Sequence, residues 1–364
     1  MRDCVLKSVM TCAFVGIGSG VHASWTLTLL SPAGSTGAGA LGGSGTQQVG
    51  YAAAGGVTRA SLWAGTSASW IDLSPNGSTW SNATAASGTQ QVGGAEIGGI
   101  RRAGLWNGTA ASWIDLHPTG ATESVCYATD GLRQAGYATT NDQYHASLWS
   151  GTAESWVDLN PIGSDFSVAH GVSGSNQVGV ATVNGISRAS LWTGTASSWV
   201  DLRPAGTLNS HAYAMSGTQQ VGFAYRFEGN LVRHASTWSG TAASWVSLNP
   251  AGSTDSVAFS TNGSHQVGYA TFAGGLHRAG LWSGTAASWV DLSAYLPSTL
   301  DVSFARAVSS DGMNIYVTGE GINSVTGESH ALLWTHPVPE PGTMIAVGIG
   351  ALGLLRKRRS RTPG

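Results

Sequence analysis

Three histidines stand out from a chain that otherwise repeats itself: His170, His211 and His265 have no counterpart in the other copies of the segment they occupy. A neutral imidazole gives or takes a proton near neutrality and is a common metal ligand. If the repeats close into a ring, these three fall on the first strand of their units, which faces the axis, and they are the candidates for lining a central pocket. A second polar group does repeat. Asp72, Asp115, Asp158, Asp201 and Asp291 each stand 13 residues after a cation, namely Arg59, Arg102, His145, Arg188 and Arg278. A carboxylate beside a cation can do acid–base work, but an active site breaks symmetry, and five copies at one position point to a structural lock. His145, His234 and His330 also hold equivalent positions, on units that are not neighbours, too far apart to share one metal ion.

Other chemical signatures are absent. The chain after residue 23 holds no HExxH, GxSxG, CxxC or calcium-loop spacing. A literal GxGxxG at Gly37, Gly39 and Gly42 reads as a Gly-Ala-Ser-rich turn region between strands with no following helix, so it offers no dinucleotide site. No cofactor, metal or catalytic residue is expected, and the protein is read as not an enzyme. The sequons at Asn76, Asn82, Asn107 and Asn262 follow from turn composition rather than marking glycans.

The elements that must position these residues are announced by one phrase. RASLW, RAGLW, HASLW, RASLW, HASTW, RAGLW and HALLW end at Trp63, Trp106, Trp149, Trp192, Trp238, Trp282 and Trp334, spaced 43, 43, 43, 46, 44 and 52 residues apart. Each unit reads as four short strands: in the fourth copy Ser167–Ser173, Gln177–Thr182, Arg188–Trp192 and Ser198–Leu202, separated by Gly, Asn and Ser turns. Glycine at 52 of 364 residues and the lack of helical periodicity give an all-β chain. Seven four-stranded units of this length predict a seven-bladed β-propeller, with a β-solenoid as the alternative.

The ends decide between the two. A strand of the SWxDL type follows the first six phrases but not the seventh, and the missing strand stands at the other terminus as Ser24–Pro32. An N-terminal strand that completes the last blade explains this offset and leaves no free edge. Trp25 stands seven residues before Pro32 whereas Trp70 stands five before Pro75, so a bulge or shifted register is expected there. Within a blade, facing Trp63 with Trp70 puts Ser61 opposite Asp72 and Leu62 opposite Ile71. One face then carries Arg59, Ser61, Trp63, Trp70 and Asp72, and the other, read as inter-blade core, carries Ala60, Leu62, Ile71 and Leu73.

Both termini carry addresses. Residues 1–23 hold Arg2 and Lys7, an apolar run and Val21-His22-Ala23, the pattern of a signal peptide cut between Ala23 and Ser24. Residues 24–337 form the ring. Residues 338–364 hold Pro339-Glu340-Pro341, an apolar stretch from Met344 to Leu355 and the basic cluster Arg356, Lys357, Arg358 and Arg359. That order resembles a PEP-CTERM sorting signal. The resemblance implies export, recognition by an exosortase and the secretion machinery, and a place on the outer surface or in the extracellular matrix of a Gram-negative-type bacterium. The apolar stretch is shorter than the roughly 20 residues a stable span needs, so membrane contact is expected to be transient. The repeats, HASLW with an aromatic-Asp-Leu strand and a QVGYA strand, resemble the HAF repeats of extracellular bacterial proteins, which implies no established activity.

Charge narrows the partners. From Ser24 to Pro339 there are 10 arginines, no lysine and 17 acidic residues, a net of −7, which argues against nucleic acid and anionic membranes. Cys126 is the only cysteine left after the signal segment, so no intramolecular disulfide forms and the ring, expected to be monomeric, depends on packing. Three functions compete: a non-catalytic surface or matrix protein, a lectin-like propeller binding extracellular polysaccharide through several equivalent weak sites, and a polysaccharide hydrolase or lyase using an asymmetric channel.

Overall fold

Each repeat is a four-stranded antiparallel sheet, and the computed structural model, which describes residues 24–338, arranges seven of them around one axis as a seven-bladed β-propeller. Blade 4 is typical, with strands Ser164–Ser173, Asn176–Val183, Ile186–Trp192 and Val200–Asp201 from the axis outwards. The fourth strand is only two residues long. A 3₁₀ turn, Ala196–Ser198, replaces the start of the strand read from the sequence. The sheet order of blade 7 places Thr26–Leu29 outside Ser329–Pro337, Asn314–Ile322 and Val302–Ser310, so the N-terminal strand closes the ring.

That closing strand has no bulge and no shifted register. Thr26 pairs with Thr335, Leu27 with Trp334, Thr28 with Leu333 and Leu29 with Leu332 without interruption. Leu27 takes the ladder position held elsewhere by the second tryptophan, because a straight ladder replaces the 3₁₀ turn, and Trp25 joins the core between blades 6 and 7, its ring 5.0 Å from that of His336 and tilted by 48°. Leu30 is fully buried and donates its N–H to the Ala331 carbonyl at 2.8 Å, as Leu73 does to Ala60.

Packing between blades repeats one contact. Each fully buried tryptophan of the ALW phrase lies on the Ala–Leu face of the preceding blade: Trp106 on Ala60, Leu62 and Leu73, Trp334 on Ala279, Leu281 and Leu292, and Trp63 on Ala331, Leu333 and Leu30. Both faces of a blade are therefore core. Ile71 is the exception on its face, 44 % exposed, because the two-residue outer strand lies at the rim where neighbouring blades diverge. A second bond stitches the blades. The Ala60, Ala103, Ala146, Ala189, Ala235 and Ala279 N–H groups donate to Ser81, Ser124, Ser167, Ser210, Ser256 and Ser303 of the next blade, all at 2.9–3.0 Å. At the closure Ser31 of the N-terminal segment accepts from Ala331 instead.

The repeated polar residues are locks. Arg59, Arg102, Arg188 and Arg278 reach Asp72, Asp115, Asp201 and Asp291 at 2.5–3.0 Å, and His145 reaches Asp158 at 2.7 Å. His234 meets Ser247 at 3.1 Å and His330 meets Ser31 at 3.3 Å. The second carboxylate oxygen of each aspartate accepts the backbone N–H two residues on, as Asp201 does from Arg203 at 2.8 Å, so the residue also fixes the turn. Asp201→Asn and Arg188→Gln should each destabilise modestly, and the double variant should cost less than their sum, with a coupling of about 0.3–1 kcal/mol. Strict additivity in urea-unfolding free energies would show that the pair does not act as a lock.

One sequence variation has a direct packing result. Where the phrase carries serine, the second tryptophan of the blade donates its indole N–H to that hydroxyl, Trp70 to Ser61 and Trp199 to Ser190 at 2.9 Å. Where it carries glycine, Gly104 or Gly280, the ring drops into the space a Cβ would fill and packs on the first tryptophan, with Trp106–Trp113 and Trp282–Trp289 centroids 4.7 Å apart.

Candidate functional site

The innermost strand of every blade breaks its register at one equivalent place, and those of blades 2 and 4 break it a second time near their start. The equivalent breaks fall between Ala40 and Gly42, Ala83 and Ala85, Cys126 and Ala128, Ala169 and Gly171, Ala212 and Ala214, Ala258 and Ser260, and Ala305 and Ala307. The extra residue of a β-bulge has no ladder partner and is re-aimed. Here all seven, Leu41, Thr84, Tyr127, His170, Tyr213, Phe259 and Arg306, line one cavity of about 250 Å³ on the ring axis, together with the residues that follow each of them. The bulge is built into the repeat by small neighbours on both sides and by a glycine opposite it, which ends a QVG phrase in five blades, QAG in blade 3 and VTG in blade 7. A Cβ on Gly179 would stand 1.9 Å from the Val168 carbonyl oxygen, and Gly50, Gly93, Gly136, Gly222, Gly268 and Gly319 are equally crowded, at 1.9–2.0 Å.

The seven axial residues are where the repeat symmetry fails. Tyr127, His170, Tyr213 and Phe259 form a continuous arc, with ring centroids 5.1 Å apart for Tyr127–His170, 5.3 Å for His170–Tyr213 and 5.5 Å for Tyr213–Phe259. Arg306 ends the arc, its guanidinium 4.8 Å from the Phe259 and Phe304 rings and its Nε 2.8 Å from Glu320. Glu320, nearly buried, also accepts the Tyr51 hydroxyl at 3.0 Å, so the Arg306 charge is balanced. Gly39 makes room for this carboxylate: a Cβ there would lie 2.4 Å from Glu320. The Gly37–Gly42 segment is thus not a turn but part of an inner strand, Gly37–Ser44. Asn82 likewise stands in a strand, Ser78–Ser87.

The three histidines part company. His170 lines the axial cavity. His211 lies two residues before Tyr213 and stacks on Phe223 at 4.8 Å with an interplanar angle of 16°. His265 is off the axis, beside His336 and Val338 in a second cavity at the junction of blades 6 and 7. Among the described residues no group of three or more His, Cys, Asp or Glu is placed to hold a metal ion. Sequence reasoning missed Leu41, Thr84, Tyr127, Phe259 and Arg306. The signal was present as one large or polar residue between two small ones, at the same place in each repeat.

Burial tunes the titratable members. It pushes His170 down to about 3, aided by repulsion from His211, and His211 down to about 4, so both rings are neutral at pH 7. Burial raises the Tyr127 phenol to about 12 and raises Tyr213 as well, which keeps both as donors. An unfolded histidine takes its proton near pH 6.5, so between that value and the folded values the unfolded state binds more protons. Stability is complete above pH 6.5 and is lost as the pH falls towards 3–4, by at most about 2 kcal/mol per histidine at pH 5, since the cavity admits solvent. Urea unfolding at pH 7 and pH 5 should differ less in His170→Gln/His211→Gln than in the parent. An equal difference would assign the acid sensitivity to other groups.

Residues 337–359 match the PEP-CTERM protein-sorting motif. This implies a secreted, cell-surface bacterial protein processed by an exosortase. Pro339, Glu340, Pro341, Arg356, Lys357, Arg358 and Arg359 belong to that matched segment and lie outside the described residues, as does Ala23, while Ser24 is the first described residue. No curated protein matches the chain. Among solved structures, a puromycin-hydrolyzing peptidase of Mycobacterium tuberculosis is similar over 84 % of this chain and 55 % of its own, with 12 % identity and a TM-score of 0.55. The chain spans about half of that peptidase's length, and the likeness bears on the propeller fold alone. TolB from Acinetobacter baumannii aligns over 77 % of this chain and 76 % of its own at 8 % identity and a TM-score of 0.42. The GH74 enzyme of Niastella koreensis aligns over 84 % and 55 % at 12 % identity and a TM-score of 0.47.

Proposed function

We propose that this is a non-catalytic propeller of the bacterial surface or extracellular matrix, sorted through an exosortase-type pathway in a Gram-negative-type envelope, with repeats of the HAF kind. The observation that carries the reading is where the sorting motif begins. The last strand of the ring ends at Pro337, and the matched segment starts at that residue. Seven complete sheets therefore precede the motif, and processing of the tail leaves them intact. The closing strand supports the same reading, because Trp25 packs on His336 and the two ends of the ring leave from one blade. The repeated Arg, His and Asp residues are spent on hairpin locks, which supports a structural use of these ionisable groups.

Intact-mass measurement on protein extracted from the surface of the native host tests the reading. The expected product runs from about Ser24 to the Pro-Glu-Pro region. A mature species that retains Arg356 to Gly364 overturns the sorting assignment, and depolymerisation of matrix polysaccharide by the purified ring overturns the non-catalytic one.

A further inference from the structure

The axial cavity holds polar groups that the fold leaves unspent. Among the described residues, the Tyr127 and Tyr213 hydroxyls and both His170 nitrogens make no hydrogen bond to protein, although their rings contact one another. The next polar residues along the same strands are already engaged: Thr129 and Thr261, two residues beyond the bulges, donate to Gln90 and Gln219 at 2.5 Å. The arc is also confined to one side. Blades 3 to 6 supply the aromatic rings and blade 7 supplies Arg306, whereas blades 1 and 2 contribute Leu41 and Thr84, followed by Gly42, Gly43, Ala85 and Ala86. The result is a cup with one aromatic wall bearing donors and acceptors, and one wall of small residues.

We propose that this cup binds a single ring of a neutral sugar, with its C–H face against the Tyr127–His170–Tyr213–Phe259 arc and its hydroxyls on the two phenols, the imidazole and the free edge of Arg306. Size agrees: 250 Å³ is below the usual volume of drug-sized pockets, of roughly 300–1,000 Å³, and room for about eight waters. Charge agrees as well. Arg306, the charged residue among those lining the cavity, is already paired with Glu320, so neither an anion nor a cation finds an unmatched partner there. The phenols remain protonated and the imidazole neutral, a mixed donor and acceptor set that suits hydroxyl groups. A sugar stacked on aromatic rings and hydrogen-bonded to buried neutral groups needs no metal.

The proposal does not depend on the sorting assignment, and its test leaves tail processing untouched. Full-length protein is titrated with glucose, galactose and mannose, with glucuronate and glucosamine as charged comparators, by calorimetry and saturation-transfer NMR. At least one neutral sugar should bind in roughly the millimolar range. Tyr213→Phe, which keeps the ring and removes only the hydroxyl, should weaken it about five- to tenfold, the factor one hydrogen bond carries, with an unchanged melting temperature. Tyr127→Ala and His170→Ala should abolish it. No transfer from any neutral sugar at roughly 50 mM overturns the proposal. So does stronger binding of glucuronate or glucosamine. Binding that survives all three substitutions places the sugar elsewhere, on the rim tryptophans, and overturns it too.

Discussion

Deletion of Ser24–Pro32 is expected to open the ring and abolish a cooperative thermal transition. The segment supplies the fourth strand of blade 7, four ladder pairs with Ser329–Pro337 and the Ser31 bond to Ala331. It also carries Leu30, fully buried against Trp63, and Trp25, 9 % exposed. Truncating a buried leucine costs about 2–5 kcal/mol and a buried tryptophan about 3–5, so the loss is comparable to the whole stability of an ordinary domain. The exposed edge of Ser329–Pro337 would then offer unpaired backbone groups to other chains, and aggregation should follow. Light scattering and differential scanning calorimetry of the purified variant check both outcomes. An unchanged melting temperature and solubility would mean that the other six inter-blade contacts hold the ring without closure.

The architecture was legible because the repeat is spelled out in large residues. Spacing of the ALW tryptophans gave the blade count, and the missing seventh SWxDL strand gave the closure. Register within a hairpin was legible too: Ser61 does oppose Asp72, and Leu62 does oppose Ile71. Burial was less so, because alternation tells which face Ile71 joins but not that a two-residue strand at the rim leaves it uncovered. The axial site was hidden for a related reason. A bulge interrupts the two-residue period, so Tyr127 or Arg306 reads as an ordinary strand position unless the seven copies are aligned on their small neighbours. His265 drew attention by its type, yet its place on a hairpin turn, with Nδ1 buried and unpaired, follows from how blades 6 and 7 meet.

The glycine opposite each bulge should be the most sensitive small residue in the chain, and blade 4 contains the comparison that proves it. Gly179 faces Ala169 across the ladder, immediately before the step to Gly171 that leaves His170 unpaired. A methyl group on Gly179 would stand 1.9 Å from the Val168 oxygen and 2.9 Å from the Ala169 Cα, and both are backbone atoms that no rotamer change can move aside. Gly179→Ala must therefore push the inner strand away from its partner or flatten the bulge. Either response displaces His170 from the axis, and the expected loss is roughly 3 kcal/mol or more, the upper range for overpacking. Gly185, in the next turn of the same blade, has a φ of +70° and nothing within 4 Å of its missing Cβ. Gly185→Ala meets only backbone strain, of about 1 kcal/mol, and leaves the axis alone. Urea unfolding of both variants, with the His170 imidazole followed by NMR, separates the two effects. Equal destabilisation, or an unmoved His170 resonance in Gly179→Ala, would show that the repeated glycine serves the turn chemistry of the chain and not the bulge that points a side chain into the channel.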